Sequence, residues 1–315
     1  MADATVEGRV GRTLTLEQLA GNPRRHRRES LIRWWLFSAA ILSIVVNVLI
    51  VLTLLDGSID FLTTVDLRAL WSDGWFPRRG LFDLRTILAG TLLVSLIAMV
   101  VATPLGLGAA MYLSEYASRS RRRKLKPILE ILAGIPSVVL GYFALTWISP
   151  EIMQRFFGAT AFNMGAAGIG VGILITPLVA SVAEDAMHAV PNSLREASYG
   201  IGATKRTTTL KVVFPGAVSG IMAALILGLS RAIGETLVVS IAAGGTGGSL
   251  FTLDPTKPGQ TMTAAMTALA TGSDQVKGAS DAFPSLFFVG LLLFAMTLTL
   301  NVASERFVRR VRKKY

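Results

Sequence analysis

The sequence has no cysteine, only two histidines and few charged residues, and each shortage excludes a class of protein. Without cysteine the chain forms neither disulfides nor thiolate metal sites. His26 and His188 lie far apart in the sequence, so no metal site is expected, nor is any cofactor. No G-x4-G-K-[ST] motif occurs, so the chain cannot hydrolyse a nucleotide through a P-loop. Charged residues make up 16% of the chain, against about 25% in an average soluble domain.

Long apolar runs fill much of the remaining sequence. The chain is 52% hydrophobic, with a mean hydropathy of +0.56. A run of about 20 apolar residues is long enough to cross the ~30 Å hydrocarbon core of a bilayer as a helix. Such runs predict transmembrane spans at residues 31–55, 86–114, 128–149, 165–187, 214–243 and 284–304. We therefore expect an all-α polytopic membrane protein with six transmembrane helices.

Basic residues are concentrated on one side of the predicted membrane. They cluster before the first span, within 119–126, within 191–215 and after the last span. Because loops rich in lysine and arginine stay in the cytoplasm, both termini and the 191–215 segment are expected there. We interpret the basic runs as topology anchors at the lipid surface. No nucleic-acid partner is expected, since no aromatic residues are interleaved with them.

The spans divide the chain into four parts. Residues 1–30 are expected to form a cytoplasmic N-terminal segment, and residues 31–85 the first transmembrane helix and an outward loop. Residues 86–304 form the transmembrane core, and residues 305–315 a basic cytoplasmic tail. Residues 244–283, rich in glycine, threonine and serine, are expected to be a second outward loop without a fold of its own.

The 191–215 segment is polar although it lies between two predicted spans. Pro191 is expected to end the fourth span, and Asn192 or Ser193 to cap a short helix, with Glu196 completing a capping box. One face of that helix would be apolar, formed by Leu194, Ala197, Ile201 and Tyr199. Such a helix either docks into a groove of a partner protein or lies on the lipid surface. Periodicity favours neither alternative.

The spacing of residues in this segment resembles a known family pattern. Glu196-Ala197-Ser198, then Gly202, then Val212-x-Phe214-Pro215 are similar to the EAA loop of binding-protein-dependent ABC importer permeases, E-A-A-x3-G-x9-I-x-L-P. Three positions depart mildly from the pattern: Ser198, Val212 and Phe214. The resemblance implies that the segment docks into a nucleotide-binding subunit. The ATPase-coupling residues would then be Glu196, Ala197, Gly202 and Pro215.

A narrower resemblance extends over about residues 86–304. The stretches GTLLVSLIAMVVATPLGLGAAMYLSEYAS, LAGIPSVVLGYFAL, RAIGET and PGQTMTAAM resemble phosphate-transporter permeases, and ETLVVSIAAG favours the PstC type over the PstA type. The resemblance implies a type I ABC importer permease core (MetI-like) in residues 86–304. It also implies that the chain is a non-enzymatic permease subunit of an inner-membrane phosphate importer.

The same resemblance implies a set of partners. They are a homologous permease subunit forming a heterodimer, two ATP-binding subunits that hydrolyse ATP, and a periplasmic or surface phosphate-binding protein. Import of another oxyanion and the PstA-type paralogue remain alternatives. An intramembrane enzyme is disfavoured because the spans lack serine–histidine pairs, aspartate pairs and metal-ligand clusters. A sensor subunit that binds the same partners without conducting is a further alternative.

Three residues inside the predicted spans are candidates for the substrate pathway. Arg231 and Glu235 are four residues apart and are expected on one face of the fifth span. They form either an internal ion pair or a site where Arg231 contacts an anion, and the family resemblance favours the second alternative. Ser137 follows Pro136, which is expected to kink the third span and bring the serine to the pathway. Glu184 and Asp185 are interpreted as interfacial residues that balance nearby arginines.

Overall fold

The computed structural model describes residues 23–244, 247–272 and 281–311, together with two short strands near the N-terminus. Those strands, β1 (Val6–Glu7) and β2 (Thr13–Leu14), pair antiparallel. The chain divides into two units, residues 1–53 and residues 54–315. The first unit holds β1, β2 and the beginning of α1 (Pro23–Thr64), a helix of 42 residues that ends in the second unit.

The second unit is built almost wholly from helices. Its other described helices are α2 (Leu84–Tyr116, π-helical over Tyr112–Tyr116), α3 (Arg119–Ala133), α4 (Ser137–Phe157), α5 (Met164–His188), α6 (Asn192–Gly200), α7 (Lys205–Gly216), α8 (Val218–Ile233), α9 (Leu237–Ala242), α10 (Met262–Ala270) and α11 (Pro284–Val311). Between α1 and α2 lie two 3-10 turns, Leu67–Trp71 and Pro77–Arg79. The same stretch holds a small antiparallel pair, β3 (Trp75–Phe76) and β4 (Leu81–Phe82).

The long helices carry the membrane-spanning part of the fold. Within the described residues, α1, α2, α5 and α11 are each long and apolar enough to cross a bilayer. Two bent pairs, α3 with α4 and α7 with α8, raise the number of spans to as many as six if each pair crosses as one. The expectation of an all-α polytopic membrane protein is therefore confirmed.

Two predicted spans are not single helices. The pair α3–α4 bends by 85° at Gly134–Pro136, so the predicted kink is confirmed. The predicted start of this span at residue 128 is different in the structure, because residues 128–133 belong to α3, and no residue of α3 is buried. The pair α7–α8 bends by 71°, and α8 ends at Ile233 instead of continuing to 243. The predicted span 214–243 is wrong as one helix because Pro215–Ala217 and Gly234 interrupt the regular backbone.

Small residues let α5 approach α2 closely. A Cβ atom on Gly168 would lie 2.7 Å from the Ile97 side chain, and one on Gly172 would lie 2.8 Å from Val101. Only glycine at these positions allows the observed contact, as is usual where transmembrane helices pack tightly. A hydrophobic cluster of buried residues from α2, α4, α5 and α9 surrounds this contact. The helix α5 therefore lies at the centre of the second unit.

A second hydrophobic cluster lies at the N-terminal end of α2. It joins the end of α1 to the β3–β4 pair, α10 and α11, through residues that include Phe61, Trp75, Phe82, Met262 and Leu269. The helix α10 falls within residues 244–283 and buries most of its residues. The expectation that this stretch is only a loop is therefore wrong. Thr261 caps α10 by accepting a hydrogen bond from the Ala264 N–H at 3.2 Å.

Candidate functional site

The 191–215 segment folds into two helices, α6 and the first part of α7, joined by a tight turn. Gly202 has a φ of +82°, a left-handed conformation that favours glycine, and no atom lies within 4 Å of the position of a Cβ there. The two helices are held together by a hydrogen bond between the Ser198 and Thr208 hydroxyls at 2.9 Å, and both residues are buried. We refer to this unit as the α6–α7 pair.

The structure brings three of the four predicted coupling residues to one exposed surface. Glu196, Ala197 and Gly202 are all exposed, beside Tyr199 and an Ile201 that is 87% exposed. Pro215 lies apart from them, in the last turn of α7 beside the 71° bend. An exposed isoleucine and tyrosine next to an exposed carboxylate form the kind of small, mixed surface that a partner protein can cover.

Two expectations about α6 are wrong in detail. The helix begins at Asn192 with Pro191 at the N-cap position, and no side chain caps it. The expected capping box is therefore absent, and the Asn192 Oδ1 atom instead accepts a hydrogen bond from Arg195 at 3.3 Å. Leu194 does not share the exposed apolar face, because it packs against a buried cluster formed by α5, α7 and α8.

A further residue of α6, which the sequence patterns do not single out, makes the strongest contacts of the segment. The side chain of Arg195 is only 12% exposed and forms an ion pair with Glu115, which is 4% exposed, at 2.9 Å. Glu115 lies in the π-helical end of α2, 80 residues earlier in the chain. A charge pattern along one helix could not reveal such a pair, because its two partners come from different elements.

The acidic residues at the end of α5 pair with basic residues of α3. Glu184 is fully buried and contacts Arg122, and it also pairs with Lys126 at 2.9 Å. Lys126 makes a second ion pair with Asp185 at 2.5 Å. The expectation of a nearby arginine partner is confirmed for Glu184, which contacts Arg122, whereas Asp185 pairs with a lysine, Lys126. These contacts hold the amphipathic helix α3 against the end of α5.

The second candidate region is the RAIGET segment, residues 231–236. Arg231 is exposed in the last turn of α8, whereas Glu235 is 7% exposed and follows the end of that helix. The expectation that the two lie on one helical face is therefore wrong. The chain leaves the helix at Gly234, and within the described residues no ion pair joins Arg231 to Glu235. The Glu235 carboxylate instead accepts a long hydrogen bond, 3.5 Å, from the Val238 N–H at the start of α9.

Polar residues at the start of α10 and just before it lie beside the RAIGET segment. The Thr263 hydroxyl donates a hydrogen bond to the Glu235 carbonyl oxygen at 2.8 Å and lies 3.0 Å from the Thr261 hydroxyl. Gln260 is 1% exposed, and neither polar atom of its carboxamide has a hydrogen-bond partner among the described residues. Although the sequence PGQTMTAAM carries a family resemblance, no spacing rule predicts its contact with Glu235.

Ser137 lies on α4, which packs against the helix that follows Glu235. It is the first residue of α4, directly after the 85° bend, and is half-buried. One turn further on, a Cβ atom on Gly141 would lie 3.1 Å from the Val238 Cα atom, so α4 packs against the helix that follows Glu235. The structure thus brings the surroundings of Ser137 and Glu235 together through α9, while Arg231 is on the exposed side of α8.

Bent spans around a central helix, with an exposed helical pair between two of them, define a polytopic helical membrane protein. Residues 102–313 match the family described as "Binding-protein-dependent transport system inner membrane component". This match covers more than half of the chain, and the chain belongs to that family. It is a multi-pass membrane subunit of an ABC importer.

Two curated relatives illustrate the match. The chain is 33% identical over 239 residues to the "Probable ABC transporter permease protein YqgH" of Bacillus subtilis, covering 76% of this chain and 74% of the relative. It is 32% identical over 297 residues to the "Phosphate transport system permease protein PstC" of Mesorhizobium japonicum, covering 87% of this chain and 88% of the relative.

Solved structures share the fold at lower identity. A bacterial ABC transporter involved in the import of the acidic polysaccharide alginate matches with a TM-score of 0.58 at 16% identity, over 91% of this chain and all of that one. An inward-facing MetNI methionine ABC transporter matches with a TM-score of 0.52 at 21% identity, over 71% of this chain and 92% of that one. The expected type I importer permease (MetI-like) core is therefore confirmed as a fold.

Proposed function

We propose that the chain is the PstC-type permease subunit of an ATP-driven phosphate importer. The substrate assignment is supported by the 32% identity to a phosphate transport permease over 87% of the chain. Residues 86–304 would form the permease core, flanked by the first helix with its outward loop and by the two terminal segments. Both termini and the α6–α7 pair would lie in the cytoplasm, in agreement with the positive-inside rule.

The observation that supports coupling to an ATPase is the exposure of the α6–α7 pair. Glu196, Ala197 and Gly202 lie on its surface, and Ile201 is 87% exposed. In this proposal, two ATP-binding subunits dock on the α6–α7 pair and on its counterpart in a homologous permease. ATP binding and hydrolysis then switch the helices between inward- and outward-facing arrangements by movement of packed bodies. Pro215 would act at the bend between α7 and α8.

Substrate would reach the membrane part from a periplasmic or surface phosphate-binding protein. Arg231 suits a phosphate contact because a guanidinium stays charged and offers a fork of donors that matches phosphate oxygens. Its side chain is exposed in the single chain, which leaves it free to face a pathway shared with the second permease. Glu235 would keep the site from binding the anion too tightly, since transport requires release as well as binding. Ser137 would line the same pathway at the bend of α4.

Stimulated ATP hydrolysis by the purified complex tests this proposal. The complex of both permeases and the ATP-binding subunits, in liposomes, is mixed with the binding protein loaded with phosphate, sulfate or molybdate. Phosphate-loaded protein should stimulate hydrolysis and drive uptake of radioactive phosphate, and the other two should not. Stimulation by another anion alone would refute the substrate assignment in favour of that oxyanion.

A matched pair of arginine variants tests the pathway residues. Arg231→Gln should abolish phosphate uptake while the complex still assembles. Arg155→Gln serves as the control, because that side chain is 69% exposed and its contacts are with exposed neighbours, the Glu151 carboxylate and the Phe156 ring. Loss of the assembled complex in Arg231→Gln, with Arg155→Gln unaffected, would favour the alternative that Arg231 has a structural role.

A further inference from the structure

Arg195 joins α6 to the end of α2 through a forked ion pair. Its Nη2 atom donates to Glu115 Oε1 at 2.9 Å, and its Nε atom donates to Glu115 Oε2 at 3.3 Å. Both side chains are largely buried, at 12% and 4% exposure. A two-point contact between planar groups fixes orientation as well as distance, and burial shields it from the screening that weakens surface pairs. Helix α6 is therefore held in one orientation on α2.

The same guanidinium also joins α6 to the end of α5. Its Nη2 atom donates to the Met187 carbonyl oxygen at 2.8 Å, and its Nη1 atom donates to the Val190 carbonyl oxygen at 2.5 Å. Carbonyl groups in the last turn of a helix lack intrahelical partners, and the negative end of the helix dipole favours a cation there. One side chain thus holds three elements together: α2, α5 and α6.

Among the described residues, α6 contacts the α7–α8 side through Leu194, which packs against a cluster with residues of α7 and α8, but no buried ion pair joins α6 to these two helices along the route that the chain takes. That route passes through the turn around Gly202, where the position of a Cβ meets no atom within 4 Å. It then passes through the 71° bend between α7 and α8. Across the turn, α6 and α7 are linked by the Ser198–Thr208 hydrogen bond between two hydroxyls. A displacement of α6 is therefore carried more directly by Arg195 into α2 and α5 than by the chain into α8.

We propose that Arg195 is the positioning residue through which movement of α6 is transmitted to α2 and α5. This inference rests on the proposed function, in which an ATPase subunit displaces α6. Arg195 itself faces away from the exposed surface that would dock the ATPase. Its loss should therefore leave docking intact while separating ATP hydrolysis from transport.

The test measures phosphate taken up per ATP hydrolysed by the complete complex in liposomes. Arg195→Gln should lower this ratio by about tenfold, a typical size for a coupling between two sites. Arg195→Lys keeps the charge but loses the fork, so it should assemble and show an intermediate ratio. Arg155→Gln is the control, because Arg155 is a 69% exposed arginine on α4, outside the α6–α7 pair, and its ratio should equal that of the wild type.

A double variant separates positioning from a merely structural role. Arg195→Gln alone leaves the Glu115 carboxylate buried without its partner, which can prevent folding. In Arg195→Gln with Glu115→Gln no buried charge is left unpaired, so the complex should assemble and still show the low ratio. A wild-type ratio in the double variant or in Arg195→Lys would overturn the inference. If the wild-type complex itself shows no phosphate-stimulated hydrolysis, the proposed function fails, which is a distinguishable result.

Discussion

Replacing Gly90 with alanine is expected to disrupt the contact between α2 and the segment that precedes α10. A Cβ atom at residue 90 would lie 2.4 Å from the Gln260 carbonyl oxygen and 3.1 Å from its carbonyl carbon. Both atoms belong to the main chain, which cannot rotate away as a flexible side chain can, and Gln260 is 1% exposed. The overlap can be relieved only by a backbone shift, and overpacking of this kind costs about 1–3 kcal/mol.

The shift would extend to the RAIGET segment. The Thr91 hydroxyl, next to Gly90, accepts a hydrogen bond from the Met262 N–H at 3.0 Å. One residue later, the Thr263 hydroxyl donates to the Glu235 carbonyl oxygen at 2.8 Å. Displacing residues 260–263 from α2 therefore loosens both hydrogen bonds. We expect Gly90→Ala to lower phosphate uptake as well as stability.

Thermal denaturation of the purified complex checks the prediction. Gly108→Ala is the matched control, since Gly108 lies on the same helix and no atom falls within 4 Å of its Cβ position. That control should be neutral or stabilising by up to about 1 kcal/mol, because alanine favours the helix more than glycine does. Gly90→Ala should melt at a lower temperature than both the wild type and Gly108→Ala. Equal melting temperatures for Gly90→Ala and the wild type would refute the reasoning.

Two further predictions concern the exposed surface of α6 and the N-terminal cap of α5. Glu196→Lys reverses a charge on the exposed surface of α6, so either binding of the ATP-binding subunits or phosphate uptake per ATP should be lost. A pull-down measures the binding and a liposome assay measures the uptake. Normal results in both would exclude a coupling role for Glu196. Asn163→Ala removes the cap of α5, where Oδ1 accepts from the Ala166 N–H at 2.7 Å and Nδ2 donates to Ser149 at 2.9 Å. The cost should be about 1–3 kcal/mol, and an unchanged melting temperature would contradict it.

Hydropathy and proline positions predict much of the fold because both act locally. The apolar runs locate the long helices α1, α2, α5 and α11 to within a few residues at most ends. Pro136 predicts the bend between α3 and α4, since proline removes a helical hydrogen bond wherever it occurs. Hydropathy does not predict that α3 leaves the span, because its apolar residues are continuous in sequence with those of α4.

Sequence patterns do not predict contacts between residues that are far apart in the chain. Glu115 and Arg195 are 80 residues apart, and only the packing of α2 against α5 brings them together. The spacing of Arg231 and Glu235 predicts a shared face only if the helix continues, and it ends at Ile233. Helix α10 is missed because its threonines and glycine-rich neighbourhood resemble a loop, while burial in the cluster around Trp75 stabilises it.

The position of α5 explains how the two candidate regions can act together. At its C-terminal end the Met187 carbonyl group, and just beyond that end the Val190 carbonyl group, accept hydrogen bonds from Arg195 of α6. Nearer its N-terminal end, a Cβ atom on Gly170 would lie 3.1 Å from the side chain of Val238, three residues after Glu235. About 26 Å of helix, at 1.5 Å per residue, separate Gly170 from Met187. Because a packed helix moves as one body, a displacement of α6 can reach the RAIGET segment along α5 without passing through the bent path of α7 and α8.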